Sequence, residues 1–104
     1  MVKDISYDEL QQAIKNGVVL ADFWAEWCGP CKQLAPVFEE LSNEFAQHCE
    51  FVKVNVEQNP QAASLGISSI PCLVLFKDGE EAERLVGALP RDALREKIKE
   101  MLGL

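Results

Sequence analysis

The sequence predicts an α/β fold, a central mixed β-sheet of four to five strands flanked by four helices on both faces. Three observations carry that expectation. Strand-like and helix-like segments alternate through the first half of the chain, which calls for parallel strands joined by helical crossovers. The run Val18–Ala25 is apolar at every position but Asp22, as befits a strand covered by helices on both sides. Further along, Lys77-Asp78-Gly79-Glu80 carries the Asp-Gly pair of a tight hairpin, which adds antiparallel pairing. At 104 residues the chain fits one domain, residues 1–104, able to bury a core without staples.

Taken in order, Val2–Ile5 reads as a short edge strand. Ser6-Tyr7-Asp8-Glu9 is a capping box, and Tyr7, Leu10 and Ile14 follow at helical spacing. Asn16-Gly17 closes that helix with a residue tolerant of positive φ. After the central strand, Leu34, Val37, Phe38, Leu41 and Phe45 line one face of a long helix, from about Lys32 to Gln47. Pro36 lies inside it, removes a backbone donor and should kink it. Phe51–Val56 reads as a second main strand. Asn59-Pro60 looks like a helix start, with Asn59 as N-cap and Gly66 as the end of a short helix. Leu73–Phe76 is a third main strand, and Ala82–Val86 follows the hairpin. Leu94, Ile98, Met101 and Leu102 then mark an amphipathic helix starting near Pro90.

Composition narrows the function classes. Hydrophobic residues make up 48% and charged residues 26% of the chain, the balance of a soluble globular protein rather than a disordered or membrane one. No apolar run approaches the length that crosses a bilayer. The opening Met1-Val2-Lys3-Asp4 lacks the apolar stretch of a signal peptide, which sets the expectation of a cytoplasmic location. A net charge of −7 disfavours nucleic acid and anionic membrane as partners.

The four cysteines are Cys28, Cys31, Cys49 and Cys72. A structural disulfide framework is unexpected in a chain with a sufficient core and no secretion signal. A zinc site would need a second close pair, but Cys49 and Cys72 lie far apart in sequence and the only histidine is His48. Redox chemistry fits better. In Trp27-Cys28-Gly29-Pro30-Cys31 the pair sits where a buried strand hands over to a helix. A thiolate is the form that attacks a disulfide, and a helix N-terminus favours it through unpaired N–H groups and the helix dipole. Lys32 is a candidate for further positive charge. Pro30 has no amide proton to leave unsatisfied there. Cys28 is expected to be the exposed nucleophile, and Cys31, one turn deeper, the thiol that resolves the mixed disulfide.

That second step requires Cys31 to lose a proton, and Asp22 is the candidate acceptor. A carboxylate in an apolar strand must find a cation or hold its proton. Lys53, the only charged residue in Phe51–Val56, could pair with it if the strands are neighbours. The alternative is that Asp22 sits where the strand emerges and is solvated.

The run Ala21-Asp22-Phe23-Trp24-Ala25-Glu26-Trp27-Cys28-Gly29-Pro30-Cys31-Lys32 resembles the signature of the thioredoxin family. The likeness continues through Ala35-Pro36, Val54-Asn55-Val56, Gly66-Ile67, Ile70-Pro71, Phe76-Lys77-Asp78-Gly79 and Val86-Gly87-Ala88, and so covers nearly the whole chain. It implies the thioredoxin fold and a thiol–disulfide oxidoreductase that reduces protein disulfides by cycling a Cys28–Cys31 disulfide. It further implies a cis Pro71 facing the dithiol, a buried acid–lysine pair in Asp22 and Lys53, and an apolar docking surface of Trp27, Gly29, Pro30, Ile70, Pro71, Val86, Gly87 and Ala88. No bound cofactor is implied, and electrons would come from a flavin-containing thioredoxin reductase. The expected partners are that reductase and disulfide-containing clients, with the protein a monomer.

Cys72 departs from the family, which usually has threonine after the cis-proline. It either replaces a small buried residue or puts a third thiol near the groove. His48 and Cys49 read as structural or surface residues, Trp24 as core and Glu26 as solvated. A Cys49–Cys72 disulfide is a further idea. The competing functions are an oxidase or isomerase, a non-catalytic binding module using the same docking surface, and a metal or iron–sulfur carrier on Cys28, Cys31 and Cys72, which lacks an evident fourth ligand.

Overall fold

The first helix starts as its capping box dictates. The Glu9 amide donates to Ser6 Oγ (3.1 Å) and the Ser6 amide to Glu9 Oε1 (3.0 Å), which opens α1 (Tyr7–Ala13). The computed structural model describes all 104 residues. The remaining elements are β1 (Lys3–Asp4), β2 (Val18–Trp24), α2 (Gly29–Glu44), β3 (Glu50–Asn55), a 3₁₀ helix (Pro60–Leu65), β4 (Cys72–Lys77), β5 (Glu80–Val86) and α3 (Arg91–Met101).

The five strands form one mixed sheet in the order β1-β3-β2-β4-β5. β3 runs parallel to both β1 and β2, whereas β4 is antiparallel to β2 and β5 is antiparallel to β4. The hairpin between β4 and β5 turns at Asp78 and Gly79, both at positive φ (48° and 91°), the backbone that a two-residue turn between right-twisted strands requires. Asp78 also ties this turn to the one between α1 and β2: its Oδ1 accepts from the Gly17 amide at 2.8 Å.

Strand alternation divides the core into two layers. Leu20, Phe51, Leu73 and Leu75 face α2 and α3, packing with Leu34, Phe38, Leu41, Leu94 and Ile98. Val19, Ala21, Phe23, Val52, Val54, Cys72 and Val74 face α1 and the 3₁₀ helix. The sheet is therefore helix-covered on both faces, with four helices if the 3₁₀ segment is included.

Three expectations change. α2 begins at Gly29 rather than near Lys32 and ends at Glu44, so Cys31 lies inside the first helical turn. The segment after Asn59 is 3₁₀, and Asn59 makes no side-chain cap to it. Its side chain instead reaches across the fold: Oδ1 accepts from the Tyr7 amide (2.9 Å) and Nδ2 donates to the Asn55 carbonyl (3.0 Å). A Cys49–Cys72 disulfide is ruled out, because Cys49 packs in the α2–α3 layer and Cys72 in the α1 layer on the other side of the sheet.

Candidate redox site

The topology brings three chain segments to one end of the sheet. β2 and β4 are antiparallel, so the end of β2 meets the start of β4, with Phe23 opposite Cys72. β4 and β5 are antiparallel too, and Cys72 stands opposite Val86 at the end of β5. The loop leaving β2 carries the Cys-Gly-Pro-Cys run, the residue entering β4 is Pro71, and Gly87-Ala88 follows β5. Residues from widely separated parts of the sequence thus share one surface.

Cys28 is the N-cap of α2, with extended φ and ψ of −87° and 106°. Its Sγ accepts from the Cys31 amide at 3.2 Å, so one of the orphan donors of the helix start points at the sulfur. Cys28 and Cys31 are joined in a disulfide with Cα atoms 5.2 Å apart. Both are buried, at 4% and 2% exposure, which corrects the expectation of an exposed Cys28. Ala25, Trp24, Val56 and Ile70 close around the pair. Cys28 Sγ also lies 3.8 Å from the Ile70 carbonyl oxygen. The Ile70–Pro71 peptide is cis, and Pro71 accepts from the Gly87 amide at 2.8 Å.

Around this buried pair the rim is open. Trp27 and Val86 are 68% and 57% exposed, large values for apolar side chains. Gly29, Pro30 and Ala88 are exposed and Ile70 and Gly87 half-buried, while Pro71 is buried.

Behind the dithiol, Asp22 and Trp24 project from β2 towards α2, because they share the face of Leu20. Lys53 is the register partner of Asp22 on β3 and points the same way. Asp22, Trp24, Cys31, Lys32, Phe38, Glu39, Val2 and Lys53 line a cavity of about 110 Å³. Asp22 is 3% exposed and its Oδ1 has no hydrogen-bond partner. Burial pushes its carboxyl up from 3.8 to about 7, while the Lys53 charge pulls the other way and only in part offsets it. The solvated alternative for Asp22 therefore fails. The expected acid–lysine neighbours are present, but Lys53 makes no close ion pair. Its Nζ sits 4.9 Å from the centre of the Trp24 ring, a cation–π distance.

The sequence places Trp24 in the core and Val2 in an edge strand, and it connects neither Val2 nor Glu39 to the site. Trp24 is half-buried and touches both the dithiol cluster and the cavity. Its position two residues after Asp22 on one strand face was the available signal. Glu39 fills a polar position between core residues of α2, and nothing in the sequence connects it to Val2. Cys72 is 1% exposed and packs in the α1 layer, as a small buried residue. Burial raises its thiol, and raises that of Cys49 to about 12. No group of three or more His, Cys, Asp or Glu side chains converges as metal ligands. No helix is long and apolar enough to cross a membrane.

The model of the thioredoxin family matches residues 1–100. The chain belongs to the thioredoxin family. It is 51% identical to the thioredoxin of Bacillus subtilis over 88 residues, covering 84% of this chain and 85% of that one. It is 44% identical to the thioredoxin of Listeria monocytogenes over 99 residues, covering 94% and 96%. Among solved structures, the thioredoxin of Malassezia sympodialis superposes with a TM-score of 0.88 at 39% identity, covering 97% of this chain and 93% of that one. Like its family, the chain is a thiol–disulfide oxidoreductase with a redox-active Cys28–Cys31 pair and thiol–disulfide reductase activity.

Proposed function

We propose that the chain is a general reductant of protein disulfides in which Cys28 attacks, Cys31 resolves and Asp22 accepts the proton of Cys31. The position of Cys28 carries this reading: it caps α2 and receives the Cys31 amide on its sulfur. The same donor and the helix dipole stabilise a Cys28 thiolate in the reduced protein. That thiolate attacks one sulfur of a client disulfide. A mixed disulfide forms at Cys28, and the other client sulfur leaves as a thiolate and takes up a proton. Cys31, its proton passed towards Asp22, then attacks Cys28 Sγ. The Cys28–Cys31 disulfide forms, the second client thiolate departs, and two electrons have moved to the client.

Asp22 suits the acceptor role because a carboxyl near 7 can both take and release a proton at neutral pH. It shares a cavity with Cys31, and Lys53 limits how far its affinity for protons rises. The open rim of Trp27, Gly29, Pro30, Ile70, Val86, Gly87 and Ala88, with Pro71 beneath it, is the docking surface for an extended client segment. A thioredoxin reductase with a flavin would return the dithiol to its reduced form, and the chain itself would need no bound cofactor. Such recycling suits a reducing compartment such as the cytoplasm. A monomer of one domain suffices for every step.

Insulin-disulfide reduction driven by dithiothreitol tests the reading. The wild type should far outpace the reductant alone, and Cys28→Ser should abolish the gain. Cys31→Ser should accumulate a mixed disulfide with the client. Catalysis that survives Cys28→Ser would overturn the assignment.

A further inference from the structure

β5 contains an irregularity that the redox chemistry does not account for. Phe76 pairs with Glu81 and Leu75 with Glu83, so Ala82 is an extra residue, a bulge. In a regular strand, residues three apart point to opposite faces. The bulge resets the alternation, placing Glu81 opposite Phe76 and Arg84 opposite Val74, two residues of the same core layer. Glu81 and Arg84 therefore lie on one face. Their side chains meet as a two-pronged pair, Nε to Oε2 at 2.8 Å and Nη2 to Oε1 at 2.7 Å.

Held in this way, the guanidinium projects over the end of the 3₁₀ helix. Nη2 donates to the Leu65 carbonyl at 2.6 Å and Nη1 to the Gly66 carbonyl at 3.2 Å. These are the carbonyls that a helix end leaves without partners. Gly66, at φ 75°, turns the chain out of the helix into the segment 67–71, which has no regular structure. The far end of that segment is tied to the same strand: Gly87, just past β5, donates to the Pro71 carbonyl at 2.8 Å. β5 thus grips both ends of the loop that brings Ile70 against Cys28.

We infer that Arg84, aimed by the Ala82 bulge and held by Glu81, is a positioning residue that fixes the Gly66–Pro71 loop for docking of client disulfides. Arg84 touches neither the dithiol nor the rim, and acts through the loop. The inference rests on the proposal that Ile70 and Pro71 belong to the docking surface. Lysine would substitute only in part, because its single ammonium cannot hold a carboxylate and two carbonyls in one plane.

The test compares wild type, Arg84→Gln, Arg84→Lys and Ile70→Ala on two substrates, insulin and a small aromatic disulfide that needs no extended docking. Arg84→Gln should raise KM for insulin about fivefold with kcat little changed, since the lost contacts act on binding rather than on chemistry. The small disulfide should be reduced at the wild-type rate. Arg84→Lys should recover only part of the loss. Amide exchange at Ile67–Ile70 should quicken in Arg84→Gln, while that of β2 stays as in the wild type. An unchanged KM for insulin, or an equal loss on both substrates, would overturn the inference. If Ile70→Ala leaves KM for insulin unchanged, the docking reading itself fails. If Ile70→Ala raises KM and Arg84→Gln does not, only the role of Arg84 fails.

Discussion

Replacing Asp22 by asparagine should make the protein more stable, and by an amount that depends on pH. Asp22 is buried with an unpartnered Oδ1, and its carboxyl is raised from 3.8 to about 7. Folded Asp22 keeps its proton until about pH 7, whereas the unfolded chain releases it near 3.8. Between those values the folded state binds more protons, so wild-type stability falls as pH rises and levels off above about 7. At ~1.4 kcal/mol for each tenfold change in proton affinity, the full loss is about 4 kcal/mol. Asparagine fills nearly the same volume and has no charge to desolvate. Oxidised Asp22→Asn should therefore exceed the wild type by about 4 kcal/mol at pH 8, but by only about 1 kcal/mol at pH 4.5. Urea unfolding of both proteins at the two pH values, with the Cys28–Cys31 disulfide intact, measures the difference. A gain of the same size at both, or none at pH 8, would refute a buried carboxyl with raised proton affinity.

Lys53→Met removes the one charge that lowers Asp22. The pH at which the Asp22 carboxyl titrates should rise further, as read by carbonyl chemical shift, and the resolving step should need a higher pH. With the Cys28–Cys31 disulfide intact, Cys49 and Cys72 should resist iodoacetamide at pH 8 in the native protein and react in urea, because both thiols are buried and raised. Mass spectrometry would read the adducts, and fast labelling of native protein would show that either site opens. Phe38→Ala, at a side chain 1% exposed and 5.0 Å between ring centres from Phe51, should cost about 3–5 kcal/mol in urea unfolding. A loss under 1 kcal/mol would mean that the α2 layer collapses into the space.

What the sequence made legible followed from local rules. The capping box at Ser6, the Asp78-Gly79 turn and the apolar stripe of α2 each involve residues close in the chain, and each forms where expected. The long apolar strand Val18–Trp24 is central as its composition required. The Asp22–Lys53 adjacency was legible because two odd charges in two apolar strands invite pairing, but the separation between them was not. Lys53 has the Trp24 ring as a competing partner, and that choice depends on packing. The burial of Cys28 is not legible for a similar reason: the cover comes from Ile70 and Val56, residues far off in sequence. Asn59-Pro60 reads as a cap because capping is local, yet the Asn59 side chain accepts from the amide of Tyr7, 52 residues away. Nothing in the sequence sets Arg84 apart from the other charged residues of β5. Only the bulge at Ala82, a matter of register, turns it towards the 3₁₀ helix.

The energetics of Asp22 also bear on the acceptor role proposed for it. A domain of this size is stable by about 5–15 kcal/mol, so a cost near 4 kcal/mol is a large share. An apolar residue of similar volume would pack against Phe38 and remove that cost, and selection for stability alone would favour it. Lys53 does not require the carboxyl either, since it is half-exposed and lies over the face of Trp24. What an apolar residue could not supply is a group that exchanges a proton near neutral pH in the cavity that Cys31 also lines. A buried group held at a cost to stability, in a cavity that Cys31 also lines, is what the proposed acceptor role requires. The stability that Asp22→Asn gains and the rate at which its mixed disulfides resolve should therefore move in opposite directions.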